Sequence, residues 1–510
     1  MFTGSPGSRS PAVILTGTIA AAMLVVANVS VLNVALPELS VELGASQAQN
    51  QWMVDIYAVV LASLLLPVGA IGDRYGRRLI LLIGLTILMV ANAATIGLDT
   101  ANQVIIARAI SGVGAAFVFP ATLSTITATL PPEKRSRGVA MWTAAIATGG
   151  FLGIILSGVL IENFWWGSLF VAMALITAAV LLFCVFAVPD SSDPEESNLD
   201  PVGGLLSVAA VGGLVLGIIE GPVEGWTSPL ALSGLVVGVM ALIGFVVWEL
   251  KTPRPLLDVR LFSRPGLRAG SLSVFVQFVG AFGIFFLVVF YLAVVLGYGP
   301  LDIGLALLPI AAGLLPASAV AIPLANRFGR RAVGTFGMTI MGLAFAYGTT
   351  IDVDDGLREY LITLVGMGIG YGFAGPPTTE AIVESLPQAK QGVASALNDV
   401  LRELGAAIGI AMAGSAFNSA YRSGIDDLAY PDEVIEAVKE TPFAVAPVAE
   451  SLGEGGAQLV ADVQQAVIDG WSLGLWTLAG AMAVGTVGFA WWAPGKSGWI
   501  RAEDEVAGVD

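Results

Sequence analysis

Fourteen apolar runs of roughly twenty residues punctuate this chain, at about 12–34, 51–72, 79–97, 103–129, 139–161, 165–188, 202–219, 230–250, 269–292, 302–325, 333–351, 361–383, 393–417 and 470–493. Wound as an α-helix at about 1.5 Å per residue, each is long enough to cross the roughly 30 Å of hydrocarbon in a bilayer. The runs are continuous instead of alternating in ten-residue pieces, so they read as helices and not as barrel strands. Composition agrees: of 510 residues, 56% are hydrophobic and 12% charged, about half the charged share of a soluble domain. The predicted fold class is an all-α polytopic membrane protein. The opening "MFTGSPGSRSP" is short and polar, and no small-residue cleavage site follows the first run, so that run is expected to be a retained span.

Basic residues collect in cytoplasmic loops. With the N-terminus inside, eighteen of the 23 Lys and Arg residues fall on the cytoplasmic side, Arg9, the Arg74, Arg77 and Arg78 cluster, Lys496 and Arg501 among them. Arg358, Arg422 and Lys439 fall outside, while Arg108 and Arg402 fall within spans. Both termini are therefore predicted to be cytoplasmic, in a multi-pass protein of the cell membrane. The acidic loop 189–200, "PDSSDPEESNLD", is also assigned inside, because Asp and Glu weigh little in this rule. Much of the net charge of −16 comes from segment 418–469, where ten Asp and Glu face only Arg422 and Lys439. That segment reads as a solvated outer loop with short amphipathic helices, or as a concentrator of cations at an outer mouth.

Several function classes are excluded at this stage. The lone Cys184 lies in a span, which rules out a disulfide framework. With no His and one Cys, a metal centre or a metal-dependent membrane enzyme is not expected. Gly495-Lys496-Ser497 lacks the earlier glycine of a phosphate-binding loop and follows a membrane run, so an ATP-driven pump is not expected. No cofactor and no nucleic-acid partner is expected. Any proton relay in this membrane has to run on carboxylates.

"GAIGDRYGRR" (69–78) joins the second and third runs, and "PLANRFGRR" (323–331) repeats the arrangement between the tenth and eleventh, with Asn326 where Asp73 stood. Two copies of one turn in two halves suggest an internal repeat, a common way to build transporters. The expected organisation is a six-helix bundle over 1–190, two inserted helices and a linker over 191–265, a second six-helix bundle over 266–495 containing the acidic loop 418–469, and a cytoplasmic tail over 496–510.

These features resemble a known family. "GAIGDRYGRR" is similar to the signature loop of the major facilitator superfamily, and fourteen spans with two extra central helices resemble its fourteen-helix drug:H⁺ antiporters. "NVSVLNVALP" (28–37), "WMVDIY" (52–57) and "ARAISGVGAAFVFPATL" (107–123) resemble that family's first, second and fourth helix motifs, the last around Arg108. The resemblance implies a major facilitator fold and export of a small lipophilic substrate against protons, and a monomer is expected. It also implies that the loop with Gly69, Gly72, Asp73, Arg74, Gly76, Arg77 and Arg78 switches the conformation, and that Asp399 and Glu403 stand where multidrug members carry acids for protons and cationic substrates. Departures accompany the matches. Asn28 and Ser30 replace the usual Asp and Thr, so a protonatable group is lost, and Ser111 replaces Gln. In "GGFLGIILSGVL" (149–160), Gly149, Gly153 and Gly158 are kept, but Ile154 and Ser157 stand where Pro and Gly are usual.

Ionisable side chains inside the apolar runs are expensive, and by default mark function. In "SALNDVLRELG" (395–405), Asp399 and Glu403 are four apart and share a helix face, whereas Asp399 and Arg402 could instead neutralise one another at i and i+3. Under that pairing Glu403 is the stronger proton carrier. Asp55 reads as a substrate or proton site or as an interfacial acid, and Arg108 as a binding residue or one arm of a structural salt bridge. Glu380 and Glu384 are expected to be wetted, and Glu220 and Glu249 to be interfacial. Gly69 and Gly72 are expected to permit close helix approach, and Asp73 to pair with a helix end across the interface, unless the loop is only an anchor. Trp52, Tyr57 and Trp142 would suit a lipophilic cation, though neutral antibiotics or lipids remain compatible, as do an uncoupled facilitator and a non-transporting receptor or scaffold.

Overall fold

The computed structural model describes residues 10–191, 199–353, 356–426 and 428–495. Arg9, residues 192–198 of the acidic loop, and the tail with Lys496 and Arg501 lie outside the described residues. Everything regular is helical: α1 (Pro11–Leu43), α2 (Gln47–Tyr75), α3 (Arg77–Thr95), α4 (Ala101–Thr129), α5 (Pro132–Asn163), α6 (Gly167–Ala187), α7 (Pro201–Glu224), α8 (Pro229–Lys251), α9 (Pro265–Phe290), α10 (Pro300–Ala306), α11 (Leu308–Phe328), α12 (Arg330–Gly348), α13 (Leu357–Glu384), α14 (Gln391–Asp426), α15 (Asp432–Glu440), α16 (Val445–Leu452) and α17 (Gly456–Trp492).

Twelve helices among the described residues are long and apolar enough to cross a membrane. Two further helices, α12 and α13, have 19 and 28 residues but are not among the twelve. Glycine, threonine and the Pro376-Pro377 step dilute the hydropathy of α13, and arginines open α12. The tenth apolar run is split into α10 and α11, because Pro309 cannot donate to the preceding turn and starts a new helix.

Two sets of helices pack within themselves. In the first, α1 lies on α5, α2 on α4, and α3 on α4 and α6; in the second, α9 lies on α14 and α17, α11 on α13, and α12 on α13 and α17. They meet along a seam of α2 and α4 against α14, and of α5 against α11 and α13. The α7–α8 pair is laid over that seam against α2 and α14. Its glycines bring the backbones together: a Cβ on Gly213 would stand 2.7 Å from the Gly238 nitrogen. We call the end where α2 stops the basic face, after Arg74, Arg77 and Arg78, and the end carrying α15 and α16 the acidic face.

Gly76 and Gly329 occupy matching places in the two repeated turns, and both have left-handed backbones, φ 114° and 94°. Only glycine enters that region cheaply. Gly69 is needed for a different reason, since a Cβ there would collide with the Gly392 carbonyl and stand 2.9 Å from the Ala396 Cβ. Gly72 has no such constraint, its nearest neighbour being Ile80 at 3.8 Å; the expectation of close approach therefore fails for Gly72 in this conformation. Gly69→Leu should wedge α2 from α14, at about 1–3 kcal/mol for overpacking. A spin-label distance across the basic face should lengthen in this variant, and an unchanged distance would contradict the close approach.

Three acids are more enclosed than their position in sequence suggests. Glu249 is 0% and Glu220 3% exposed, because the α7–α8 pair turns them against its neighbours. Glu249 Oε2 accepts from the Leu257 amide at 3.2 Å. Glu380, at 6%, is not wetted but held by Arg330 at 3.3 Å and by the Ser136 hydroxyl, while Glu384 is only partly buried, 2.7 Å from Arg330.

Candidate functional site

The buried first half of α14 places the charged stretch of "SALNDVLRELG" at the seam. Asp399 is fully enclosed; its Oδ1 accepts from Asn398 Nδ2 at 3.1 Å, and its Oδ2 has no partner among the described residues. Arg402 acts on it only at longer range and forms no salt bridge with it among the described residues. Its guanidinium carbon lies 4.7 Å from the Trp142 ring of α5 and 5.1 Å from the Phe278 ring of α9, and Nη2 reaches Thr379 Oγ1 of α13 at 3.4 Å. Cation–π attraction thus outcompetes the i,i+3 pair here. The Arg402 Nε and Nη1 atoms have no acceptor among the described residues. Glu403, half-buried one turn beyond Asp399, makes no hydrogen bond or ion pair there either.

Glu403 reaches toward the first helix set, within electrostatic range of Tyr57 on α2. Tyr57 carries Arg108 of α4 over its ring at 4.5 Å and donates its hydroxyl to the Val25 carbonyl of α1 at 2.9 Å. Among the described residues Arg108 forms no salt bridge. It donates to the Met53 carbonyl at 3.3 Å and the Asn28 carbonyl at 3.1 Å, and its Nη2 is buried without a partner. Asn28 itself is buried and spends its amide on the Leu24 carbonyl at 3.2 Å. Asp399, Arg402 and Glu403 of α14 and Tyr57, Arg108 and Asn28 of the first helix set are thus two polar groups in an apolar bundle, related through the electrostatic reach of Glu403 to Tyr57. Asp55 stands apart toward the acidic face, half-buried and within electrostatic range of Glu220.

Sequence reasoning singled out Trp142 only as an aromatic, and passed over Phe278, Thr379, Gln277 and Asn398. Asn398 was visible as a polar residue in the same stretch. Nothing in the spacing of 142, 278 and 402 announces that they meet.

The remaining candidates build other parts. Gly149 and Gly153 let α5 ride on α1, where a Cβ would stand 2.9 Å from the Met23 carbonyl oxygen and 3.0 Å from the Ala27 oxygen; Gly158 is buried on the same helix. At the basic face, Asp73 is 1% exposed and spans the seam. Its two oxygens accept from the Gly392 amide at 2.8 Å, and Oδ2 also from Val393 at 3.2 Å. Asp73 is thus the N-cap of α14, supplied from α2, with its charge at the positive end of the helix. Arg77 holds the carboxylate at 2.6 Å and donates to the Gln388 carbonyl at 3.3 Å. Arg78 binds the Val185 carbonyl at 2.6 Å and Asp190 at 3.2 Å, and Arg74 lies 5.8 Å from the Tyr75 ring. The second copy lacks this device, since Asn326 is exposed. In this state the seam is shut at the basic face.

Known proteins are similar to this chain. The chain is 31% identical over 445 residues to the multidrug efflux pump LfrA of Mycolicibacterium smegmatis, covering 87% of this chain and 86% of that one. It is 30% identical over 404 residues to the methyl viologen resistance protein SmvA of Salmonella typhimurium strain 14028s, covering 78% and 80%. The solved structure of the proton:xylose symporter XylE superposes with a TM-score of 0.61 at 15% identity, covering 98% of both chains, which supports the fold alone. The profile of the Major Facilitator Superfamily matches residues 18–410. This is a multi-pass membrane protein of a transporter family, not an enzyme, and the chain belongs to the Major Facilitator Superfamily.

Proposed function

We propose that this protein exports small lipophilic cations in exchange for protons, by alternating access across the cell membrane. The observation that carries the reading is the pair of carboxylates on α14, Asp399 and Glu403, placed at the seam with no ion-pair partner among the described residues. A carboxyl in such surroundings can hold a proton or a cation but not readily neither. Asp55 is the entry acid on the acidic side. The efflux and resistance roles named for the relatives support export of drug-like molecules.

In this reading all fourteen long helices span the bilayer, α12 and α13 included, since α13 packs on α11 and α12 on α17, which are long and apolar enough to cross it. Residues 1–190 and 266–495 form two six-helix bundles that rock against each other, 191–265 is an insert, the basic face and both termini are cytoplasmic, and the protein works as a monomer. Asp73 and Arg77 latch the state closed to the cytoplasm, with Gly69, Gly76, Arg74 and Arg78 shaping and anchoring the turn.

Inside-out vesicles test this. An imposed pH gradient, acidic inside, should drive uptake of radiolabelled tetraphenylphosphonium, and collapsing the gradient with a proton/potassium exchanger should abolish it. Uptake indifferent to the gradient would sink proton coupling. Asn28, amide where an acid would favour cations, supports a second cargo class of neutral lipophiles; a neutral dye taken up while tetraphenylphosphonium is not would favour it.

A further inference from the structure

On the basic-face half of α14, residues 391–400 are buried without exception. Polar atoms without a protein partner nevertheless recur there turn after turn: Gln391 Oε1, Ser395 Oγ and Asp399 Oδ2, at i, i+4 and i+8, with Asn398 Oδ1 beside them. Gln277 Oε1 of α9 and Thr143 Oγ1 of α5 are likewise buried and unpartnered. An unpaired buried polar group costs about 1–3 kcal/mol, so a row of them would be strongly disfavoured in a dry seam. Polar niches of this kind hold ordered water. Neighbours at i and i+4 have Cβ atoms about 5–6 Å apart, a gap that one water closes with two hydrogen bonds.

The row has direction. Gln391 ties its amide nitrogen to the Val383 and Leu386 carbonyls at the end of α13, at 3.2 and 3.3 Å, which leaves its buried oxygen as an unused acceptor. Gln388, three residues earlier, is exposed at the basic face. The row therefore begins at the acid assigned to proton transfer and ends beside bulk solvent.

We propose that Ser395 and Gln391, with the water between them, are the proton exit from Asp399 to the basic face; this rests on the proton-coupled reading above. The Asp399 O–H bond breaks and leaves a carboxylate. The intervening water takes that proton and gives one of its own to Ser395 Oγ, whose hydroxyl proton passes to the next water, oriented by Gln391 Oε1. One proton enters bulk solvent for each one lost by Asp399, and no other bond is changed. Ser395 relays, while Gln391 only positions. In the shut state Asp73 holds the Gly392 and Val393 amides against α2, and the row conducts once that latch lets go, which keeps the exchange coupled.

The test uses two side chains of one shape. Ser395→Thr keeps the hydroxyl and Ser395→Val replaces it with methyl. In proteoliposomes, pH-driven net transport of tetraphenylphosphonium should fall at least about tenfold in Ser395→Val and recover in Ser395→Thr, in keeping with the value of a positioned proton-transfer group. Counterflow, in which labelled exchanges for unlabelled tetraphenylphosphonium without net proton release, should be unchanged in both. Gln391→Met should slow net transport in the same direction but less. Normal net transport in Ser395→Val would overturn the assignment, as would counterflow falling in step with it. If both β-branched variants lose counterflow through crowding, Ser395→Ala decides by the same two readouts. A wild type without pH-driven transport would refute proton coupling itself, a separate failure.

Discussion

Glu403→Gln and Asp399→Asn should each cut pH-driven accumulation of tetraphenylphosphonium in inside-out vesicles to the passive level. Each pH unit across the membrane is worth about 1.4 kcal/mol per proton, or a tenfold cargo gradient, so a gradient of two units leaves roughly a hundredfold to be lost. The reasoning is positional. Among the described residues Asp399 has one oxygen unpartnered and Glu403 makes no hydrogen bond or salt bridge, whereas Arg402, the obvious neutraliser, is held between Trp142 and Phe278. An amide matches the carboxyl in size and can fill its place, so packing survives while proton exchange does not. Counterflow separates the two acids. It should persist in the variant of an acid that carries only protons and fall in the variant of one that also holds cargo. Full accumulation in both variants would remove the proposed proton site.

The second large effect is expected from Asp73→Ala. Arg77, 4% exposed, loses its carboxylate, and the Gly392 and Val393 amides at the start of α14 lose their acceptor. Removing one partner of a buried pair costs about 3–5 kcal/mol. The cost falls on the state in which α2 and α14 touch, so the equilibrium should move away from it by two to three decades, at about 1.4 kcal/mol per decade. Cysteine placed at Ala396, which packs on Gly69, reports this. Its labelling by an impermeant maleimide from the basic face should accelerate by about a hundredfold in Asp73→Ala. Adding Arg77→Ala should restore part of the protection, because the stranded charge is gone. Cys184 is buried and contributes little background. A labelling rate unmoved by Asp73→Ala would leave the latch without support.

Much of the fold was legible because a bilayer permits few solutions. The apolar runs located every long helix, although the tenth, read as one run, is broken before Pro309. The repeated turn was legible too, since Gly76 and Gly329 answer a backbone demand that only glycine meets. The site was legible by residue type but not by partner. Asp399, Glu403 and Arg108 stood out as ions in oil, yet spacing could not disclose that Arg108 would sit on Tyr57, or that Arg402 would prefer rings contributed by α5 and α9. The buried state of Glu220 and Glu249 was hidden for the same reason. Whether a helix end meets water depends on what is packed against it, and α7–α8 is packed against the seam.

That placement of α7–α8 has a consequence for any greasy guest diffusing sideways out of the lipid. One flank of the molecule, along α2 and α14, is boarded over by the glycine-tight pair, while the opposite flank, along α5 and α11, has only the short α10 near its acidic end. In the proposed export reading, traffic from the bilayer is expected to favour that flank. A photoactivatable lipophile should mark α5 and α11 and spare the covered faces of α2 and α14.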